Sequence, residues 1–217
     1  MVPEDNMDTL LIVNSSPRSN SVSRRLTQHV AEEWKRKNPG GRILERDLVA
    51  EPLPFVSEAW IQAAYTPADQ RTAEQQRTLA LSDSLIDELL TADVIVLGVP
   101  MHNFSIPASL KAWIDLITRA GKSFSYGSTG PVGLIPSDKK VLAIVSRGGS
   151  YGEGSPADFQ VPYLRHMLGF IGLKDVTVVD ADRQAMGGDA AQQSMEKAIE
   201  KLSAVAEGCP THLAATA

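Results

Sequence analysis

The run Asp93–Val99 (DVIVLGV) is apolar at odd and even positions alike once past its first residue. Successive side chains of a strand point to opposite faces, so such a run must be covered on both sides. A chain built around it needs a parallel strand at the centre of a sheet, with helices above and below. Two other runs behave in the same way, Thr9–Asn14 (TLLIVN) and Lys139–Val145 (KKVLAIV). Arg42–Leu48 (RILERDL) and Asp175–Val179 read as two further strands.

Helical patterns separate these strands. Val22, Leu26, Val30 and Trp34 form one apolar stripe, and Pro39-Gly40-Gly41 ends that helix. Leu81, Leu85 and Leu89 share a face within Leu79–Leu90. Pro107 opens a helix whose inner side is Leu110, Trp113, Ile114 and Ile117, with Gly121 as its stop signal. Tyr163–Ile171 and Ala190–Ala206 complete the set. Between the second strand and the Leu79 helix lies a long excursion, Ala50–Gln76, with three prolines and a short helix expected over Ser57–Ala64. Ser123–Pro136 reads as a Gly/Pro-rich loop. The alternation β-α-β-α-β-α-β-α-β-α predicts an α/β, flavodoxin-like fold. It has a five-stranded parallel sheet of order 2-1-3-4-5, with helices on both faces. We expect one domain over 1–217, with loose tails at 1–8 and 207–217.

The 217 residues carry 21 Lys and Arg against 26 Asp and Glu, a net charge of −5. No basic face for nonspecific nucleic-acid binding is expected of such a chain. The single cysteine, Cys209, excludes an internal disulfide and any multi-cysteine metal site. Apolar runs fall well short of the ~20 residues a membrane helix needs. The start, MVPEDNMD, lacks the apolar stretch of a secretory signal, and the expected location is cytoplasmic.

In a sheet of this order, ligands gather where the strand order reverses, at the carboxyl ends of the strands. Three segments meet there. The first, SSPRSNS, offers the hydroxyls of Ser15, Ser16, Ser19 and Ser21 and the amide of Asn20 at a helix N-terminus, which suits a phosphate. The plainer reading is that these serines cap the helix and shape the turn. Neither GxGxxG nor GxxxxGK[ST] is present, so a phosphomonoester suits it better than a pyrophosphate. The second segment, Met101-His102-Asn103-Phe104, sets a Met and a Phe after a buried strand: an apolar ledge for a flat aromatic ligand, or two side chains that turn inward. His102 is either a proton donor or a structural imidazole. In the third, Ser146-Arg147-Gly148-Gly149, two glycines let backbone N–H groups approach a ligand closely. Alternatively they make a turn with positive φ, and Arg147 pairs with a nearby acid. A phosphate cradle, a ledge and a donor edge together match the three parts of FMN.

With SSPRSNS, PMHNF and SRGG in this order, and with ALSDSLIDEL, RAGKSF and LGFIGL between and after them, the sequence resembles the FMN-dependent NADH-azoreductases and NADH:quinone oxidoreductases of flavodoxin-like fold, from about Leu10 to Ala206. The resemblance implies a homodimer with one non-covalent FMN per subunit and the active site near the interface. NADH or NADPH delivers hydride to the flavin and leaves; a quinone or azo compound then takes the electrons, a ping-pong order. It also implies that Ser16, Ser19, Asn20 and Ser21 hold phosphate and ribityl. Met101, His102, Asn103 and Phe104 line the ring, and Ser146, Arg147, Gly148 and Gly149 bond its pyrimidine side. Phe124, Tyr126 and Tyr163 resemble positions that close the site across the dimer. Position 102 is often tyrosine in the family, so His102 is a departure that can modulate stacking or pH response.

No protein nucleophile is expected, because the cofactor carries the chemistry. Ser15 or Ser16 with a histidine lacks the GxSxG elbow of a hydrolase. Two alternatives share the fold: a flavodoxin-type electron carrier, and an FMN-binding regulatory module without turnover.

Overall fold

A computed structural model describes residues 8–152 and 154–207. Of the expected tails 1–8 and 207–217, residues 1–7 and 208–217, with Cys209, lie outside the described residues. Five parallel strands form the main sheet: β1 (Thr9–Asn14), β2 (Arg42–Asp47), β3 (Val94–Pro100), β6 (Lys140–Ser146) and β7 (Val176–Ala181), in the order β2-β1-β3-β6-β7. This is the expected 2-1-3-4-5 arrangement, with two short strands inserted in the chain between the third and fourth positions. Register is in step across the centre: Val13 pairs with Leu97, and Leu97 with Ala143.

The all-apolar runs are explained by two cores. Leu11, Val13, Ile95, Leu97, Val99, Val141, Ala143 and Val145 face α3 (Ala73–Thr91), α4 (Ala108–Ile117) and α5 (Val161–Ile171). Their neighbours Leu10, Ile12, Val96, Leu142 and Ile144 face α1 (Val22–Lys37) and α6 (Gly188–Glu207). Trp113 on α4 is the largest fully buried side chain. Truncating a central residue such as Leu97 to alanine removes contacts on a surface that cannot collapse, at a cost of roughly 2–5 kcal/mol.

The buried side of α1 is Ser23, Leu26, Thr27 and Ala31, one step around from the Val22-Leu26-Val30-Trp34 stripe. The cause is close approach. A Cβ at Gly98, in the middle of β3, would lie 2.8 Å from Asn14 Oδ1 and 3.0 Å from Thr27 Cγ2. Only small side chains fit where the helix crosses there, and the larger apolar residues flank the contact. On α3, Leu79, Ser82, Leu85, Ile86 and Leu89 are buried, whereas Leu81 is exposed. A serine in that row, Ser82, is accommodated because its hydroxyl donates to Leu116 O at 2.6 Å.

The long excursion holds α2 (Glu58–Tyr65), capped by Ser57, and a 3-10 turn at Ala68–Gln70 before α3. The helix there is displaced by one residue from Ser57–Ala64. The Ser123–Pro136 segment is more ordered than a loop. It forms an antiparallel hairpin, β4 (Phe124–Gly127) and β5 (Gly130–Gly133). Its strands are four residues each and carry glycines, so periodicity does not reveal them. Gly133 packs against the backbone of Gly172, the left-handed cap of α5. No helix among the described residues is long and apolar enough to cross a membrane.

Candidate functional site

The turns after β1, β3 and β6 emerge side by side at the carboxyl edge of the sheet. The first is fixed from below. Ser15 is fully buried; its Oγ donates to Gly98 O at 2.7 Å, and its own carbonyl accepts from Ser109 Oγ at 3.2 Å. Ser15 is therefore a structural tie between β1, β3 and α4. Ser16 is also buried, and its carbonyl accepts from the Arg24 guanidinium at 2.7 and 3.1 Å. Ser21 caps α1, its Oγ accepting from Arg24 N at 3.3 Å. Ser19 and Asn20 are exposed between these anchors. The N–H groups of Ser19, Asn20, Val22 and Ser23 meet no acceptor among the described residues. A helix terminus with open donors and no acidic residue in its first turn favours an anion.

The second turn is closed by two reciprocal bonds, His102 N to Ser105 O at 2.9 Å and Ser105 N to His102 O at 3.0 Å. The two residues between, Asn103 and Phe104, both have positive φ, 47° and 70°. Asparagine tolerates that region; phenylalanine there is strained, by about 1–2 kcal/mol. The Phe104 ring is 51% exposed and makes an edge contact with Tyr151 at 6.4 Å between centroids. Met101 is half-buried and donates its N–H to Ser146 O at 2.8 Å, joining the second turn to the third. Phe104 does not turn inward. His102 and Asn103 are exposed at the rim of a cleft of about 460 Å³, lined also by Ser105, Ile106, Lys111 and Tyr163. Lys111 is paired with Asp115 at 2.6 Å, and burial pushes the Tyr163 hydroxyl above its ordinary range.

In the third turn, neither Gly148 nor Gly149 has positive φ, so a tight left-handed turn is not the reason for glycine here. A Cβ on Gly149 would meet nothing nearer than the Tyr151 ring at 3.5 Å. Their carbonyls accept from Ala185 N at 3.0 Å and Arg183 N at 2.9 Å, while their N–H groups meet no acceptor among the described residues. The fold itself does not require glycine at 149; a bare donor edge is suited to something outside the chain. Ser146 ends β6 and is buried. Arg147 behaves differently from a ligand-facing side chain. Its guanidinium lies inside, against Asp158 at 3.0 Å, Gln160 at 3.0 Å and, more distantly, Asp180 at 3.6 Å.

Sequence reasoning missed several members of this edge. Arg24, which clamps the first turn and pairs with Asp47 at the end of β2, had one available signal: a basic residue at a helix N-terminus is unfavourable unless it has a local partner. Tyr151 and Asp180 carried no spacing that marked them. Among the described residues no group of His, Cys, Asp and Glu is placed to hold a metal ion.

Phe124, Tyr126 and Phe170 form a tilted and edge-to-face aromatic cluster, with Tyr126 72% exposed. Phe159 and Val132 are exposed as well.

The features are compatible with FMN: open N–H donors at a helix N-terminus, an exposed phenylalanine, and a glycine edge with free donors. Comparison with known proteins gives the family. A family described as flavodoxin-like fold matches residues 8–206. An FMN-dependent NADH:quinone oxidoreductase from a Nostoc species is 46% identical over 201 residues, covering 91% of this chain and 97% of that protein. The crystal structure of an azoreductase from Bacillus anthracis (strain Sterne) superposes with a TM-score of 0.84 at 32% identity, covering 94% and 100% of the two chains. An FMN-dependent NADH-azoreductase of Bacillus anthracis (strain Ames Ancestor), solved in complex with FMN, gives 0.83 at 26% identity, covering 93% and 99%.

Proposed function

The chain belongs to the flavodoxin-like family of FMN-dependent NADH:quinone oxidoreductases, and from that membership we propose how its three turns divide the work and in what order its substrates react. It is an enzyme that depends on FMN and takes NADH as donor, with azoreductases as structural relatives. Ser16, Ser19, Asn20 and Ser21, with the open N–H groups of the α1 terminus, hold the phosphate and ribityl. Met101, His102, Asn103 and Phe104 line one side of the ring. Ser146, Gly148 and Gly149 meet the polar edge, with Arg147 contributing from behind.

The observation that carries this assignment is the Gly148-Gly149 edge: no positive φ, free N–H groups and, at Gly149, space that the fold leaves unfilled. The bound flavin supplies the two-electron chemistry, and the protein supplies orientation and electrostatics. Two backbone hydrogen bonds between His102 and Ser105 hold the turn that presents Asn103 and Phe104. The neighbouring cleft, with His102, Lys111 and Tyr163 on its walls, receives a flat substrate. Donor and acceptor take turns in it, so the kinetics are ping-pong, with quinones and azo compounds as acceptors. NADPH is a second donor of the same chemistry.

We further propose a cytoplasmic homodimer. Phe104 and Phe159 are exposed beside the second turn, Tyr126 and Val132 are exposed on the hairpin, and a second copy covers these apolar side chains.

The test is direct. The purified protein is yellow and bleaches with NADH, and parallel double-reciprocal lines appear when benzoquinone or methyl red is varied at several NADH concentrations. Intersecting lines overturn the ping-pong order. A protein that stays colourless after incubation with FMN overturns the assignment of the turns. A flavodoxin-type carrier, in contrast, reacts only sluggishly with NADH.

A further inference from the structure

The Arg147 guanidinium is 2% exposed and faces four residues, three in the segment between β6 and α5 and one on β7. Nη2 pairs with Asp158 Oδ2 at 3.0 Å, Nε donates to Gln160 Oε1 at 3.0 Å, Nη1 donates to Tyr151 O at 3.3 Å, and Nη1 faces Asp180 Oδ2 at 3.6 Å. Its partners reach onward. Asp158 Oδ1 accepts from Gln160 N and Val161 N at the start of α5, at 2.9 and 3.1 Å. Gln160 Nε2 donates to Val99 O at the end of β3, at 3.0 Å. Phe159 N donates to Phe104 O at 3.0 Å. One buried cation thus joins the Gly148-Gly149 turn to the Asn103-Phe104 turn.

Asp180 is the odd member. It sits near the end of β7, makes the longest contact of the four, and its Oδ1 is buried with no hydrogen-bond partner. A carboxylate oxygen left in that state costs stability. Its place beside the Gly148-Gly149 turn points to a role other than folding.

We propose that Arg147 and Asp180 are positioning residues for the cofactor: Arg147 ties the two turns together through Asp158 and Gln160, and its ion pair with Asp180 fixes the guanidinium that does so, so that FMN affinity depends on the ionisation of Asp180. This rests on the reading that those turns hold FMN. Burial pushes the Asp180 carboxyl up to about 6; Asp182 and Asp158 add to the rise, while Arg147 and, from α6, Lys201 oppose it. Near neutrality the carboxylate shares the guanidinium with Asp158. Once protonated it releases Nη1, and the turn bearing Gly148 and Gly149 loses one of its restraints.

The experiment is FMN titration of the flavin-stripped protein between about pH 5 and about pH 8, wild type against Asp180→Asn, followed by flavin fluorescence. Riboflavin serves as a second probe, because the FMN phosphate itself titrates near ~6. Wild type is expected to bind both probes about 3- to 10-fold more weakly at the acid end, beyond any phosphate effect, as for loss of one charge-assisted contact. Asp180→Asn is expected to bind weakly throughout, with a flat riboflavin profile. Arg147→Lys, which keeps the charge without the fork, is expected to bind weakly at both ends. An Asp180→Asn profile that superimposes on wild type overturns the proposal, as does equal affinity at the alkaline end. If wild type binds neither probe, the assignment of the turns falls as well; if it binds both and the variant is unchanged, only this inference falls.

Discussion

The Arg24 guanidinium and the Asp47 carboxylate meet in two parallel hydrogen bonds, Nη1 to Oδ2 at 2.7 Å and Nη2 to Oδ1 at 2.8 Å. The same guanidinium donates to Ser16 O, so a residue at the end of β2 holds the first turn of the site in place. Asp47 also accepts from Val49 N at 3.0 Å and Ala50 N at 3.2 Å. The hydrogen bonds from Arg24, reinforced by those backbone donors, hold the Asp47 carboxyl down to about 2 against the cost of its burial.

Asp47→Asn is expected to lower stability by about 1 kcal/mol at neutral pH, a value discounted for the partial exposure of the pair. The sign follows from the depressed value. The stabilisation is present above the unfolded carboxylate range near ~4 and disappears as pH falls toward about 2. Urea unfolding of both proteins at neutral and acid pH measures it. A difference that persists unchanged in acid contradicts the assignment to this ion pair.

Asp180 gives the opposite slope. Its carboxyl is raised to about 6, so the folded state takes up a proton before the unfolded chain does, and stability falls as pH rises from about 4 through about 6. Asp180→Asn is therefore expected to raise stability at neutral pH, by about 1 kcal/mol after allowance for its partial exposure, with the gain fading in acid. Thermal melts across that range test it; a variant less stable than wild type at neutral pH would show that the carboxylate contributes to folding.

Asn103→Ala should weaken FMN retention by about 1–3 kcal/mol, the cost of leaving a partner unpaired. The position also has φ of 47°, which alanine tolerates less well, so Asn103→Gly is the necessary companion. Glycine relieves the backbone yet lacks the amide. Weak binding by both variants assigns the effect to the side chain, whereas recovery in Asn103→Gly assigns it to the turn.

Gly149→Val and Gly133→Ala should fail in different ways. The nearest atom to a Cβ at Gly149 is 3.5 Å away, so the valine variant is expected to fold, melt near wild type, and lose flavin on dialysis. At Gly133 a Cβ would fall on the backbone of Gly172 and Ile171, which cannot withdraw. That variant is expected to lose about 2 kcal/mol or more, as overpacked sites do. A valine variant that stays fully yellow removes Gly149 from the cofactor edge.

Strand identity and order were written in local pattern. Past their charged first residues, Asp93 and Lys139-Lys140, DVIVLGV and KKVLAIV are apolar throughout because both faces of β3 and β6 are covered, and a parallel sheet follows from helices alternating with such runs. The three turns were legible for the same reason: topology places strand ends together wherever the order reverses. What tertiary contacts alone decided were relationships between residues far apart in the chain. The stripe on α1 rotated by one position because Gly98 brings β3 close, a distance that no window around α1 contains. The hairpin at 124–133 depends on packing against α5 rather than on its own short strands. For Arg147 the SRGG segment left two readings, a ligand-facing side chain or one paired with a nearby acid, and its charge is drawn inward by Asp158 and Asp180. These acids, 11 and 33 positions away along the chain, share its low-dielectric surroundings only after folding. Periodicity is a property of neighbours in sequence, while burial and pairing of a charge are properties of neighbours in space.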